Sequence, residues 1–305
     1  MTLSRDVTEI NAQLKEKLLR HIPQPGDLST AIDGMVLFRR DEASISEKNF
    51  ENPLVAFVIQ GAKLALYGAN EYFYQENQCV VVGMGMPAFF KTMPATPEKP
   101  FLAVAFYLDT EIITEILDGM AQQDFSLRQK CHGVKVEDTQ YELLEGVLHL
   151  VELLDKPEQI PIRSPLYIKD LHYLLLTSPF GSDIRQINTL GTRSNDIAKL
   201  INWIRQNINL HFTVEELAQK SYMSPSSLYR YFKNFTGLTP LQYVKQLRLI
   251  EAQRLMLIKN ESLNIAAMSV GYGSVTQFNR EYKRMFGNPP HKDIIQRRKK
   301  MFMYK

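Results

Sequence analysis

Hydrophobic and polar residues are arranged in two different ways along this chain of 305 residues, and the change falls near residue 110. From residue 28 to residue 109, short runs rich in β-branched and aromatic residues are separated by glycine, proline and asparagine, which predicts strands joined by turns. The predicted strands are 54–59, 63–67, 71–74, 79–82 and 102–107. Several short strands at this spacing are typical of a small β-barrel or sandwich.

After residue 110 the apolar positions recur every three or four residues, which predicts helices at 111–121, 140–154 and 164–176. A further short helix is predicted at 11–19, and the stretch 177–194 is interpreted as an interdomain connection. The predicted helices 140–154 and 164–176 each have an apolar face. The first face is formed by Leu143, Val147, Leu150 and Leu154, and the second by Ile168, Leu171 and Leu175. Two interpretations of these faces stay open: they form a dimer interface, or they pack against the barrel within one chain.

The last hundred residues contain a repeat in which similar residues return after 50 positions. The repeated residues are Leu228, Arg230, Phe232, Lys233, Gly237 and Pro240, which return as Phe278, Arg280, Tyr282, Lys283, Gly287 and Pro290. In each copy a short helix precedes a helix with a basic outer face, and clear capping signals such as Thr213 with Glu216 mark the helix starts. This order predicts two helix-turn-helix units joined by a long linker helix from residue 239 to about 258.

Charge is divided unequally between the two parts of the chain. The net charge is +3, but residues 1–194 carry −8 and residues 195–305 carry +11. Such a field attracts polyanions to the C-terminal part and repels them from the N-terminal part. We therefore expect residues 191–305 to fold and bind DNA alone, with an affinity that falls steeply as salt rises.

The outward positions of the two basic helices are the candidate DNA-binding residues. Arginine and glutamine bond guanine and adenine edges, threonine suits the thymine methyl group, and later basic residues reach phosphates. The candidates are Ser226, Ser227, Tyr229, Arg230 and Lys233 in the first unit and Ser274, Thr276, Gln277, Arg280 and Lys283 in the second. The alternative is a helical bundle with an ordinary solvated basic face.

Residues 195–294 resemble the DNA-binding domain of the AraC/XylS family of bacterial transcriptional regulators. The matching residues are Glu216-Leu217-Ala218, Met223-Ser224, Phe232-Lys233, Thr236-Gly237, Tyr243, Arg248, Ala252, Leu255, Gly271-Tyr272, Gln277-Phe278, Arg280, Lys283, Phe286-Gly287 and Pro290. The resemblance implies that the two recognition helices enter neighbouring major grooves. The chain departs from the family at Tyr222, where glycine is common, at Ala266, and at Asp293-Ile294.

The N-terminal part resembles the cupin-like domain of one subgroup of this family, some of whose members respond to reactive aldehydes. Residues 28–170 carry this likeness, together with Gln60-Gly61 and Gly68. Cupin enzymes hold a metal through histidines, but none of the six histidines lies between residues 28 and 110. We therefore predict no metal, no cofactor and no catalytic residue, and a barrel that binds a ligand of unknown identity or supports dimerisation.

Only Cys79 and Cys131 are present, which suits a reducing cytoplasm and rules out a disulfide scaffold. Cys79 begins an apolar strand and is interpreted as a core residue, whereas Cys131 lies between Lys130 and His132, a better setting for a reactive thiolate. The N-terminus has no apolar signal segment, and no apolar run approaches the ~20 residues that span a bilayer.

Together these observations predict an α+β protein with four parts: an N-terminal arm at 1–27, a cupin-like β domain at 28–110, a helical dimerisation or connection region at 111–190 and a double helix-turn-helix domain at 191–305. The predicted function is sequence-specific transcriptional regulation in the cytoplasm. The expected partners are promoter DNA, RNA polymerase, a small-molecule effector and a second copy of the chain. Two alternatives stay open: a cupin enzyme fused to a DNA-targeting module, and an interaction protein that antagonises another regulator.

Overall fold

The computed structural model describes residues 7–43, 47–120 and 131–303. Six residues of the expected N-terminal arm, the last residue of the predicted helix 111–121, and Lys130 lie outside the described residues. Within them, the fold is the predicted α+β arrangement: a β domain with flanking helices, followed by a helical domain with two helix-turn-helix units.

Two antiparallel sheets that face each other form the β domain. Their strand orders are β1-β2-β9-β4-β7-β10 and β3-β8-β5-β6. The strands are β1 Gly26–Ser29, β2 Met35–Arg40, β3 Glu47–Glu51, β4 Leu54–Gln60, β5 Ala62–Tyr67, β6 Asn70–Gln75, β7 Gln78–Val82, β8 Met86–Thr92, β9 Phe101–Tyr107 and β10 Val134–Asp138. Five of these were predicted, and β1, β2, β3, β8 and β10 were missed.

The larger sheet is buried on both faces, as β4 illustrates. Its residues Val55, Phe57 and Ile59 belong to a core shared with helices, whereas Leu54 and Val58 belong to a second core shared with the smaller sheet. This division follows from the period of two along a strand, which sends successive side chains to opposite faces.

Helices cover the outer face of the larger sheet. They are α1 Val7–His21, α2 Thr110–Gly119, α3 Tyr141–Leu153, α4 Ile160–Thr177 and α5 Gly181–Asn188. Leu14 and Leu18 of α1 are fully buried, so most of the expected arm is an integral helix of this domain. Helix α5 occupies the stretch that was interpreted as a connection, and Ile184 and Ile187 anchor it.

The apolar faces of α3 and α4 pack within the chain, so the dimer interpretation of these faces is wrong. Leu143, Val147, Leu150, Leu171 and Leu175 have between 0% and 1% of their surface exposed. Leu154 and Ile168 are partly buried against the same core. A charge at Leu150 or Leu171 would therefore disrupt the fold of the monomer instead of testing an interface.

The C-terminal domain consists of helices throughout its described residues. They are α6 Arg193–Gln206, α7 Val214–Lys220, α8 Pro225–Thr236, α9 Pro240–Ile258, α10 Leu263–Ser269, α11 Val275–Phe286 and α12 Pro290–Met303. Helices α7 and α8 form the first helix-turn-helix unit, α10 and α11 form the second, and α9 links them. The predicted capping box is present, with Glu216 N–H donating to Thr213 Oγ1 at 3.1 Å and Thr213 N–H donating to Glu216 Oε2 at 2.8 Å.

The two units differ in the core that supports them. Leu217, Leu228, Phe232 and Tyr243 of the first unit and its linker belong to the same buried cluster as the interior of the β domain. The second unit has a separate cluster, which includes Ala267, Phe278, Tyr282 and Ile294. Among the described residues, no helix is long and apolar enough to cross a membrane.

Candidate nucleic-acid interface

The two recognition helices, α8 and α11, have the same length and matching ends. Each begins at a serine N-cap, because Ser224 Oγ accepts from Ser227 N–H and Ser274 Oγ accepts from Gln277 N–H, both at 3.3 Å. Each ends at a glycine in the left-handed region, Gly237 with φ +71° and Gly287 with φ +83°. The repeat in the sequence is therefore a repeat of helix boundaries, which aligns the outward positions of both units.

The structure brings the predicted DNA-binding residues to the surface of these helices. Ser227 is partly exposed, and the other nine are exposed: Ser226, Tyr229, Arg230, Lys233, Ser274, Thr276, Gln277, Arg280 and Lys283. A buried row on the opposite side of each helix, Leu228 with Phe232 and Phe278 with Tyr282, fixes which face is presented. The arrangement leaves both basic faces open to a polyanion.

Aromatic rings lie beside the cations of the first recognition helix. The guanidinium of Arg230 lies 4.9 Å from the ring centre of Tyr231, and the ammonium of Lys233 lies 5.9 Å from that of Tyr229. These contacts restrain long side chains that are otherwise free in water, which lowers the entropy cost of binding.

In the second unit, one candidate base-reading side chain is already engaged. Gln277 Nε2 donates to Glu281 Oε1 at 3.3 Å, and the same carboxylate accepts from Tyr272 Oη at 2.8 Å and pairs with Lys245 Nζ at 3.1 Å. Burial alone would raise the pKa of Glu281, but these hydrogen bonds outweigh it and lower that pKa. The remaining amide N–H and the carbonyl oxygen of Gln277 are left to bond a base while this network holds the side chain.

The linker helix α9 sets the separation of the units. Its 19 residues span about 28 Å at 1.5 Å per residue. Arg248 of this helix donates from Nε to the Ile208 carbonyl at 3.0 Å and from Nη1 to the Gly271 carbonyl at 3.4 Å. One side chain therefore ties the loop before α7 to the turn of the second unit.

The departure from the family at Asp293 has a structural role. Asp293 Oδ2 accepts from Tyr282 Oη and from Gln253 Nε2, both at 2.7 Å, and its side chain pairs with Arg297. Asp293 is buried. This carboxylate therefore joins α9, α11 and α12 around the second unit.

The turn before α8 keeps a left-handed residue although glycine is absent there. Tyr222 has φ +53°, and the matching residue of the second unit, Gly271, has φ +86°. The turn therefore has a positive φ with a tyrosine in place of glycine.

The first unit also contacts the β domain, through residues that the sequence did not single out as an interface. Tyr243 Oη donates to the Gly85 carbonyl at 2.8 Å. A Cβ atom at Gly68, in the turn between β5 and β6, would overlap the carbonyl oxygen of Thr236 at the end of α8. These contacts join positions far apart in the chain, so a local sequence pattern does not predict them.

A cavity of about 260 Å³ lies at one end of the β domain. Its walls are Asp27, Ser29, Gly34, Val36, Phe38, Asn49, Phe50, Glu51, Leu54, Ala105 and Tyr107. Burial raises the pKa of Glu51 to about 7, against the opposing effect of Lys63. The ring of Phe50 also lies 4.3 Å from the guanidinium of Arg205 on α6, so one wall of the cavity touches the C-terminal domain.

Both cysteines are buried and free. Burial raises the pKa of each thiol to about 12, so neither is a thiolate at neutral pH. The reactive setting considered for Cys131 is therefore not realised in this conformation. No group of three or more potential metal ligands occurs among the described residues.

Comparison with known families accounts for both halves of the chain. Residues 31–183 match the N-terminal domain of AraC-type transcriptional regulators, and residues 217–293 match a helix-turn-helix domain. The chain belongs to the AraC-type transcriptional regulators. This confirms the resemblance found in the sequence at the level of the family.

Curated relatives agree with this assignment. The chain is 27% identical over 130 residues to the transcriptional regulator YobQ of Bacillus subtilis, which covers 37% of this chain and 54% of YobQ. It is 26% identical over 151 residues to the transcriptional activator RhaS of Pectobacterium carotovorum, which covers 49% of this chain and 52% of RhaS. The chain thus spans about half the length of the curated relatives it matches.

The fold resembles that of ToxT of Vibrio cholerae over most of the chain. A ligand-free variant of ToxT has a TM-score of 0.57 at 12% identity, covering 88% of this chain and 99% of ToxT. Wild-type ToxT bound to an unsaturated fatty acid has a TM-score of 0.56 at 11% identity, covering 88% and 97%. At such identities the likeness shows that the two-domain fold is shared.

Proposed function

We propose that this AraC-type regulator binds DNA sequence-specifically and reads two adjacent major grooves with α8 and α11. The supporting observation is the matched pair of capped helices, each with an outward arginine at the same position, Arg230 and Arg280. The linker of about 28 Å is close to the ~34 Å between successive major grooves on one face of B-DNA. A bound chain would act on RNA polymerase at the promoter.

The test is binding of the full chain to an operator mapped genome-wide. Arg230→Ala or Arg280→Ala is expected to weaken specific binding by about 1–3 kcal/mol, with a smaller effect on non-specific DNA. Arg20→Ala removes the same charge from α1 of the N-terminal half, away from the proposed dimer face, and serves as the control. Unchanged affinity in both recognition-helix variants would contradict the assignment, and a salt-independent interaction would contradict DNA binding itself.

For the effector, we propose that a small molecule occupies the cavity beside Glu51. The cavity combines apolar walls with a few polar groups, as small-molecule sites do. Its wall residue Phe50 also contacts Arg205 of the C-terminal domain, so a ligand that moves Phe50 would act on that domain through this contact. Substitution Leu54→Trp, which fills the cavity, should abolish the response of a reporter promoter to its inducer while DNA binding persists; an unchanged response would refute this site.

For the homodimer, we propose the outer face of α4. Ile162, Leu166 and Tyr173 are 74%, 65% and 43% exposed, and their spacing places them on one side of the helix. A second copy would cover this apolar stripe in a two-fold arrangement. Leu166→Glu should convert dimers to monomers in sedimentation while circular dichroism still shows the folded chain, and a wild-type monomer at all concentrations would refute the proposal.

A further inference from the structure

Tyr222 occupies a position at which the fold itself favours glycine. Its φ of +53° lies in the left-handed region, where a bulky side chain is strained. The same two hydrogen bonds form both turns. In the first turn, Tyr222 N–H donates to the Gln219 carbonyl and Met223 N–H donates to the Ala218 carbonyl. In the second, Gly271 N–H donates to the Met268 carbonyl and Tyr272 N–H donates to the Ala267 carbonyl. The backbone of the turn is therefore repeated, and only the side chain differs.

The two turns place different demands on that side chain. A Cβ atom at Gly271 would lie 2.6 Å from the carbonyl oxygen of Asn209, so the second turn has no room for one. Tyr222, in contrast, is 89% exposed. Among the described residues, no hydrogen bond or ring contact involves its side chain. The tyrosine thus costs backbone strain and contributes no packing, and strain of this kind concentrates at functional sites.

The position of Tyr222 indicates which partner it meets. It lies two residues before Ser224, the N-cap of the first recognition helix, and on the exposed side of the turn. In a helix-turn-helix, the start of the recognition helix enters the major groove while the preceding helix crosses the backbone, so this turn lies beside a phosphate strand. Tyrosine hydroxyls are among the groups that bond DNA phosphates.

We infer that the Tyr222 hydroxyl donates a hydrogen bond to a DNA phosphate and anchors the first unit, whereas the second unit, with Gly271, has no such anchor. This inference rests on the proposed DNA binding. Because a phosphate contact carries no sequence information, it acts on every duplex. Because the phenol is neutral, it releases no counterion and leaves the salt dependence unchanged.

The experiment uses the full chain and a fluorescent 40-base-pair duplex of mixed sequence, titrated at several salt concentrations. Tyr222→Phe removes the hydroxyl alone and is expected to weaken binding about 5-fold at every salt concentration, with the same slope of log K against log salt. Tyr222→Gly should weaken binding at least as much without lowering the unfolding temperature, because it relieves the strain. Tyr141→Phe, at the start of α3, removes a hydroxyl away from the proposed DNA and dimer surfaces and is the control.

The outcomes separate this inference from the proposed function. Wild-type affinity in Tyr222→Phe overturns the phosphate contact, including the case in which the exposed ring serves a protein partner instead. A lower unfolding temperature in Tyr222→Gly overturns the strain argument, since the side chain would then stabilise the fold. A wild-type chain that shows no salt-dependent binding to the duplex overturns the proposed function itself.

Discussion

The first and second helix-turn-helix units share helix lengths, caps and outward arginines, yet they are supported by different structures. Gly237 and Gly287 illustrate this, since both end a recognition helix with positive φ. A Cβ atom at Gly237 would lie 2.8 Å from the Ala69 amide of the β domain, whereas nothing lies within 4 Å of one at Gly287. The outward face of the recognition helix is the same in both units, but the structure packed behind it differs.

This difference means that the first unit depends on the β domain for its core, whereas the second depends on α9 and α12. The buried network of Asp293 serves the second unit alone, and the Tyr243 contact serves the first. Within the part of the chain that the structure describes, a signal in the β domain therefore reaches the first unit by direct contact. Four predictions test this asymmetry.

The largest effect is expected on separating the domains. In a fragment of residues 191–305, Phe235, Leu238, Tyr243 and Val244 lose the cover of the β domain, with a loss of roughly 2 kcal/mol for each large apolar side chain that becomes exposed. Amide hydrogen exchange should show α8 unprotected and α11 still protected. Equal protection of both helices would contradict the asymmetry and agree with the expectation that the whole fragment folds alone.

Substituting alanine for Gly237 and for Gly287, the glycines that end the two recognition helices, gives a matched comparison. Both substitutions place a Cβ in the left-handed region, at a cost of about 1 kcal/mol for Gly287→Ala. Gly237→Ala also forces the recognition helix away from Ala69, so we expect a loss of about 3 kcal/mol in the free energy of unfolding. Chemical denaturation measures both, and equal losses would show that the contact with the β domain contributes nothing.

Stability should depend on pH through the β domain. The pKa of Glu51 is raised from 4.5 to about 7, so the folded chain keeps a proton there that the unfolded chain releases above pH 4.5. Stability is thus greatest below pH 4.5 and falls by about 3 kcal/mol as pH rises from 4.5 to 7. Glu51→Gln should flatten this dependence. A profile unchanged by the substitution would contradict the pKa shift.

The smallest effect is expected from removing one hydroxyl. Tyr243→Phe deletes the hydrogen bond to Gly85, and Tyr282→Phe deletes the one to Asp293, each with a loss of about 1 kcal/mol. Hydrogen exchange should increase in α8 for the first variant and in α11 for the second. If both variants loosened both helices alike, the two units would share one cooperative core.

The sequence predicted the elements that local signals specify. Serine caps, terminal glycines and the 3.6-residue period placed α8 and α11 and turned the candidate residues outward. Strand β8 was missed because Pro87 interrupts its pattern, and β10 because its partner β7 lies about 55 residues earlier. The contact between Tyr243 and Gly85 joins residues 158 positions apart, so only the folded chain displays it.

The linker helix α9 has a mechanical consequence. Its first turn is held by the β domain through Tyr243, and its far end carries the second unit, so a change of direction at the first turn would be enlarged at the far end. A tilt of about 10° at that turn moves the far end of a 28 Å rod by about 5 Å, more than the ~3.4 Å rise of one base pair. A rearrangement in the β domain that tilts α9 would thus shift the second unit relative to the first.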